Sequence, residues 1–407
     1  MRILNFGSCN IDYVYSLPHM VRPGETLSAE KMEIFPGGKG LNQSIAAARA
    51  GATISHAGLI GEDGEFLKAL LQESGADTSL MESIPMKNGH AIIQVDPTGE
   101  NSIFIFKGSN GVITEEYIDR VLSHFDQGDL LLLQNEINLL DRIIEKAAEK
   151  GLQIALNPSP FHENLKKLDL NKITYLILNK VEAAAFSEKE DSLSDLLARF
   201  PTLKIIQTLG KGGSVYRDRE QEFFCPAYRV KAVDTTAAGD TFTGYFFSLL
   251  AKGAAIPDAL KKASAASALS VSKMGAAPSI PKIEEVEKAL PALTPYNDAK
   301  KERLRREILQ YLENHLTDAS LEGLAEELGY SKGYIGNLIK DTTGKSFSAL
   351  LQEMRCKQAA ALLSETELPI TEIIRLCGYE NESFFRKKFT ARFSLTPLQY
   401  RKRSISL

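Results

Sequence analysis

The segment Asp234-Thr235-Thr236-Ala237-Ala238-Gly239-Asp240-Thr241-Phe242-Thr243-Gly244 has the residue types of an anion-binding helix start. Small side chains ahead of an apolar helix, Phe242 to Ala251, let several backbone N–H groups converge on an anion at the positive end of the helix dipole. Asp240 falls in the first helical turn, beside that anion. A carboxylate there can take the proton of a hydroxyl as it attacks a γ-phosphoryl group. An isolated Gly-Asp pair is more often a helix cap; the whole string of small residues favours chemistry here. A second cluster, Pro36-Gly37-Gly38-Lys39-Gly40-Leu41-Asn42-Gln43, also enters a helix. Its glycines allow close backbone approach, and Lys39 and Asn42 offer hydrogen bonds to hydroxyls. The phosphate-loop spacing GxxxxGK[ST] and the dinucleotide spacing GxGxxG are both absent from the chain, which removes the two commonest nucleotide-binding explanations.

These clusters need a scaffold that brings distant segments to one edge. Candidate strands are Ile3 to Cys9, Thr53 to Leu59, Leu130 to Gln134, Leu152 to Asn157, Tyr175 to Leu178 and Lys204 to Thr208, with a β-rich stretch from Tyr228 to Val233. Helical stretches such as Leu41 to Ala50 and Asp141 to Lys150 alternate with them, each closed by a glycine, Gly51 or Gly151. This rhythm predicts an α/β fold: a parallel sheet with helices on both faces. Gly89 to Asp96 and Asn101 to Lys107 break it as a hairpin. With the stretch around Tyr13 and Glu33 they predict a small accessory sheet. Asn10-Ile11-Asp12, Glu136, Asn179-Lys180-Val181-Glu182 and Thr208-Leu209-Gly210-Lys211-Gly212-Gly213 each follow a candidate strand. Open α/β sheets bind their ligands at such C-terminal strand ends.

A chain of 407 residues, 43% hydrophobic and 25% charged, predicts a globular protein of two or three domains. No apolar run is long enough for a membrane span, and the N-terminus lacks signal-peptide character. Four scattered cysteines without a CxxC pair fit a reducing cytoplasm better than a disulfide framework or a zinc site. Charge is uneven. From Asp298 onward 18 basic face 15 acidic side chains, net +3, against −7 for the rest; residues 371–407 alone carry +5. An acidic body and a basic tail place any polyanion at the C-terminal end. Prolines around residues 278–295 mark the end of the body, giving a body over 1–292, a linker over 293–299 and a tail over 300–407.

The tail reads as six or seven short helices. Leu321 to Leu328, a Gly329-Tyr330 turn and a helix from Ser331 to Lys340 have the layout of a helix-turn-helix. It recurs as Ile370 to Leu376, Cys377-Gly378-Tyr379 and Ser383 to Phe389, with Phe347 to Leu363 bridging the two units. Lys332, Asn337, Arg386, Lys387 and Lys388 are the candidate contacts to phosphates and base edges. A helical protein-interaction bundle with a solvated basic face is the competing reading.

Over residues 1 to 290 the chain resembles the ribokinase (PfkB) family of sugar kinases, on Gly37-Gly38-Lys39-Gly40-Leu41-Asn42-Gln43 and Asp234 to Phe242. The resemblance implies phosphoryl transfer from ATP to a sugar hydroxyl, with magnesium and potassium, and a β-sheet lid that pairs two chains. It assigns Asn10, Asp12, Gly38, Lys39, Asn42 and Glu136 to the sugar, Asp240 to the base, and Ala237, Ala238 and Gly239 with Asp240 to the anion hole. Asn179, Thr208, Gly210 and Gly213 with Gly239 would line the nucleotide site. Glu182 would order magnesium through water. Asp234, Thr236, Lys273, Gly275 and Ser279 resemble the monovalent-cation loop. The combination of Asn10, Asp12 and Gly275 to Ser279 is most similar to ribokinases, which favours ribose as acceptor. Lys180 departs from the usual acidic residue, and Lys211 follows Thr-Leu-Gly. Residues 300 to 403 resemble the AraC-type DNA-binding domain, on Ile373, Gly378-Tyr379, Ser383-Phe384-Phe385, Phe389 and Thr396-Pro397 through Tyr400-Arg401, with Ser394 where glycine is customary. Together they imply a cytoplasmic sugar kinase joined to a sequence-specific regulator that binds double-stranded DNA. A sugar-sensing transcription factor with a weak or inactive kinase fold, and a kinase for another sugar or a nucleoside, remain open alternatives.

Overall fold

The computed structural model describes residues 1–187, 192–296 and 298–405. The chain folds as two compact units, Met1–Tyr296 and Asn297–Leu407.

The first unit is built on an eight-stranded sheet in the order Glu222–Cys225, Ser214–Arg217, Lys204–Thr208, Tyr175–Asn179, Gln153–Asn157, Leu130–Gln134, Ile3–Phe6 and Ile54–Ala57. Adjacent strands are parallel from Lys204–Thr208 onward, and the first two are antiparallel. Strands such as Leu130-Leu131-Leu132-Leu133 are apolar without alternation because both faces are covered. Alternate residues separate cleanly between two cores. Ile3, Leu130, Leu132 and Ile177 pack with the helices Lys39–Arg49, Ala238–Ala251 and Ile256–Ser270. Leu4, Leu131, Leu133 and Leu178 pack with Glu115–Leu122 and Leu140–Glu149 on the other face. Gly51 and Gly151 end their helices with φ of 87° and 75°, the left-handed geometry that a glycine permits at no steric cost.

The accessory sheet has four strands in the order Lys31–Gly37, Asn10–Ser16, Gly89–Val95 and Asn101–Phe106. It contains Tyr13 and Glu33 and the hairpin, as their patterning predicts.

Three expectations need correction. The chain from Ile3 to Cys9 is not one strand: it leaves the large sheet after Phe6 and re-enters the accessory sheet at Asn10. Tyr228 to Val233 forms no strand, holding only an isolated bridge from Tyr228 to Pro295; the antiparallel strands Ser214–Arg217 and Glu222–Cys225 take the sheet edge instead. The expected linker is largely docked. Arg229 N donates to Thr294 O at 2.8 Å and Tyr296 N to Ala227 O at 2.9 Å, stitching the end of the body onto itself. Asn297 lies outside the described residues, and a helix, Asp298–Asn314, begins immediately after it.

The second unit has seven helices among its described residues. Leu321–Leu328 turns at Gly329, in the left-handed conformation, into Lys332–Thr343, whose Ser331 cap accepts from Tyr334 N. Ile370–Leu376 turns through Gly378 (φ 71°) into Glu382–Phe393, capped by Asn381. This second helix starts one residue earlier and runs four residues longer than Ser383 to Phe389. Phe347–Glu365 joins the two helix-turn-helix pairs, giving Leu350 and Leu351 to one small core and Cys356, Ala359 and Leu363 to the other. Ser394 does adopt the left-handed position, with φ 56°. Among the described residues no helix is long and apolar enough to cross a membrane.

Candidate active site

Two helices from opposite ends of the first unit build the site. Lys39–Arg49 and Ala238–Ala251 cross at Gly244, where an added Cβ would sit 2.5 Å from both the Ala46 Cβ and the Gln43 carbonyl. Only a glycine allows so close a crossing. It brings the starts of both helices together: Asn42 Nδ2 lies 3.3 Å from Asp240 Oδ2, and Gln43 Nε2 donates to Asp240 Oδ1 at 2.9 Å. Asp240 is only 7% exposed.

Asp240 stands at the third position of its helix, after the left-handed Ala237 (φ 59°). Ala238 N makes a long bond to Thr235 O, 3.3 Å. The amides of Gly239 and Asp240 have no preceding helical turn to donate to, as at any helix start. The geometry therefore leaves open amides at the helix mouth, with a carboxylate at its rim.

On the accessory-sheet side, Asn10 and Asp12 are two apart on one strand and so share a face. Asp12 lies against Gly37: a Cβ there would meet all three carboxylate atoms within 2.4 Å. Asn10 Oδ1 accepts from Asn110 Nδ2 at 2.7 Å, and Cys9 N donates to Asn110 Oδ1 at 3.1 Å. Glu136, just past its strand, accepts from the Ser8 hydroxyl and, at 2.9 Å, from Lys39 N. Gly38, with φ 95°, is the N-cap of the helix that carries Lys39.

The charges are strongly coupled. Asp240 foremost, with Glu136 and Glu182, holds the Lys39 ammonium above its ordinary range against the effect of burial. Burial pushes Asp12 up to about 7, and Glu136 adds to the shift. Burial also raises Glu136, opposed by Lys39 and Ser8.

Lys39, Asn157, Ser159, Asn179, Glu182, Thr208, Gly239, Asp240 and Thr243 line a cavity of about 160 Å³. Glu182 is already engaged: it accepts from Asn179 N at 2.9 Å in a capping box and from the Ser159 hydroxyl. Gly210 (φ 58°) and Gly213 (φ 102°) shape the turn after Thr208 and lie outside that lining. Asp234 accepts from Thr236 N at 2.9 Å and Gly275 N at 3.0 Å, tying together the two loops that resemble the cation site. Ser279 Oγ donates to Ala276 O, and the Lys273 side chain pairs instead with Glu285. Lys273 could thus serve that loop only through its backbone.

Sequence reasoning gave no site role to Asn110, Asn157, Ser159, Asn5 or Gln134. Asn110 sits in a short 3-10 helix and Ser159 in a loop, neither with a motif, while Asn5 lies within and Gln134 at the end of an apolar strand. A buried amide within an apolar strand was the available signal.

In the second unit the five candidate contacts are exposed. Lys332 pairs with Glu322, Arg386 with Glu382 at 2.6 Å, and the Lys388 ammonium lies 5.3 Å from the Phe384 ring centroid. Such surface pairs are weak and exchange readily for phosphate.

Comparison with known proteins agrees with this architecture. Residues 2–283 match the model of the pfkB family carbohydrate kinases, and residues 324–403 that of a helix-turn-helix domain. The chain is 36% identical over 288 residues to a ribokinase of Bacillus subtilis strain 168, spanning 70% of this chain and 97% of that protein. It is 33% identical over 300 residues to a deoxyribokinase of Salmonella typhi, spanning 70% and 97%. The crystal structure of ribokinase from Cryptococcus neoformans var. grubii serotype A in complex with ADP superposes with a TM-score of 0.63 at 33% identity, covering 70% of this chain and 99% of that one. The chain belongs to the PfkB family of carbohydrate kinases and carries, in the same polypeptide, a helix-turn-helix domain of the AraC type.

Proposed function

We propose that the body, residues 1–292, phosphorylates ribose at its 5-hydroxyl from ATP, and that the tail, residues 300–407, binds double-stranded DNA in a sequence-dependent way. The observation that carries the kinase reading is Asp240 at a helix start, joined to Asn42 and Gln43 and lining the cavity with Lys39, Asn179 and Glu182. Asn10, Asp12, Gly38, Lys39, Asn42 and Glu136 hold the sugar. Two carboxylates and two amides suit a ring with vicinal hydroxyls. Asp240 accepts the proton of the attacking hydroxyl. The amides of Ala237, Ala238, Gly239 and Asp240 receive the transferring phosphoryl group, and Lys39 offsets its growing charge.

Asn179, Thr208, Gly210 and Gly213, with Gly239, form the nucleotide side. Magnesium keeps several waters and takes few carboxylates, which fits Glu182, whose two oxygens already accept protein hydrogen bonds. When bound, it would neutralise phosphate charge. Asp234, Thr236, Lys273, Gly275 and Ser279 form the loop offered to potassium, through carbonyls rather than the Lys273 side chain.

Met32, Ile34 and the edge strand residues Ile103, Phe104, Ile105 and Phe106 are 49–59% exposed. An uncovered apolar edge favours pairing with a second copy, so the protein is read as a homodimer through the lid. In the tail, Arg386, Lys387 and Lys388 face a DNA backbone, with Lys332 and Asn337 on the other second helix.

The test is an acceptor screen. Purified full-length protein, ATP and magnesium are given ribose, deoxyribose, fructose and a nucleoside, and ADP release is followed. Ribose should give the highest kcat/KM. Preference for another acceptor reassigns the sugar, and ribose binding without ADP release favours a sensor.

A further inference from the structure

The helix Lys39–Arg49 carries one side chain at the site that the reaction scheme above leaves unused. Gln43 is fully buried, and its amide nitrogen donates to Asp240 Oδ1 at 2.9 Å. Its oxygen accepts from Gln134 Nε2 at 2.8 Å, and the same Gln134 nitrogen donates to Asn5 Oδ1 at 3.0 Å. Asn5 Nδ2 in turn donates to the Gly40 carbonyl and the Ser44 hydroxyl, each at 2.8 Å.

A side-chain amide turned end for end keeps its shape, so the polarity of such a chain must come from a group that cannot turn. The Gly40 carbonyl is that group, because it can only accept. It draws the Asn5 nitrogen toward itself, which turns the Asn5 oxygen toward Gln134. Gln134 must then present its nitrogen, Gln43 its oxygen to Gln134, and the Gln43 nitrogen is left facing Asp240. Keeping Gln134 this way leaves its own oxygen buried without a hydrogen-bond partner, against Gly7, where a Cβ would come within 2.5 Å. Reversing Gln134 would instead set its oxygen against those of Asn5 and Gln43.

We infer that Gln43, Gln134 and Asn5 are positioning residues that aim a hydrogen-bond donor at Asp240 Oδ1, holding the carboxylate with Oδ2 turned to the acceptor hydroxyl. This rests on the kinase reading. A hydrogen bond donated to a carboxylate favours its charged form, and the charged groups around this one are Lys39, on the same helix as Gln43, Glu136, beyond its strand, and Glu182, at its own helix start.

The experiment uses full-length protein and compares wild type, Gln43→Met, Gln134→Met, the double variant and Asp240→Asn with ribose and ATP. Gln43→Met should lower kcat about tenfold to a hundredfold, leave both KM values within about twofold, and move the acidic limb of kcat to higher pH. Gln134→Met should shift the limb in the same direction by less. Because Gln134 reaches Asp240 through Gln43, the double variant should match Gln43→Met alone. A merely structural role would lower Tm and leave the limb in place. An unmoved limb, or losses that multiply in the double variant, overturns the inference while a dead Asp240→Asn leaves the kinase reading standing. An Asp240→Asn variant as active as wild type overturns both. Should Gln43→Met fail to fold, the limb of Gln134→Met decides alone.

Discussion

In the body, the candidate site draws on sequence positions as distant as Asn10, Asp12, Gln43, Glu136 and Asp240, and internal hydrogen bonds hold several of them: Glu136 to Lys39 N, Gln43 to Asp240 and Asn10 to Asn110. In the tail, the candidate contacts are exposed, and those with described partners, Lys332, Arg386 and Lys388, pair within their own helix-turn-helix unit. The contrast follows from what each must do. Moving a proton and a phosphoryl group needs fixed dipoles that do not reorganise. Gripping a polyanion needs mobile cations that trade weak surface partners for phosphate. The two regions should therefore fail differently when charge is removed.

Lys39→Met tests the body. Losing that ammonium should lower kcat/KM about a hundredfold to a thousandfold, with DNA retention unchanged; a loss below about threefold would break the contrast. Replacing Arg386, Lys387 and Lys388 together by alanine tests the tail. DNA affinity should fall about tenfold to a hundredfold and the salt slope by about 3, while ribose kinetics stay as in wild type.

Proton linkage sharpens the contrast. Asp12 is raised to about 7, so its ionisation opposes folding of the sugar-free body: the stabilisation is present at low pH and lost as pH rises through 7. On the proposed function, ribose hydrogen bonding the ionised carboxylate would offset that loss. The rise in Tm on adding ribose should therefore be larger at pH 8 than at pH 6. KM for ribose should increase about tenfold from pH 8 to pH 6, and Asp12→Asn should abolish this dependence. The smallest effect belongs to the tail: Ser394→Gly should stabilise it by about 0.5–1 kcal/mol in thermal unfolding, because φ of 56° strains any residue with a Cβ.

Much of the architecture was legible because covered parallel strands read as unbroken apolar runs and helices end on left-handed glycines. Strand ends were not. The break after Phe6 lies in a continuous small and polar run, and only pairing with Lys31–Gly37 and Gly89–Val95 decides where the accessory sheet begins. The edge strands Ser214–Arg217 and Glu222–Cys225 carry too few residues to stand out from the surrounding turns. At the site, Asp240, Lys39 and Asn42 were visible because glycine-rich helix starts announce them. Asn5 and Gln134 were not, since an amide inside a strand acquires meaning only from the helix packed on it. Glu182 and Lys273 were visible, but not the partners that occupy their side chains.

Asp240 serving as the base is the central proposal. Its most direct measurement is ADP release with saturating ribose and ATP by wild type and Asp240→Asn, with ribose affinity measured alongside by calorimetry. We expect ribose to bind both proteins comparably while kcat of the variant falls about a hundredfold to ten-thousandfold. Equal kcat in the two proteins, or no ribose-dependent ADP release by wild type, would contradict it.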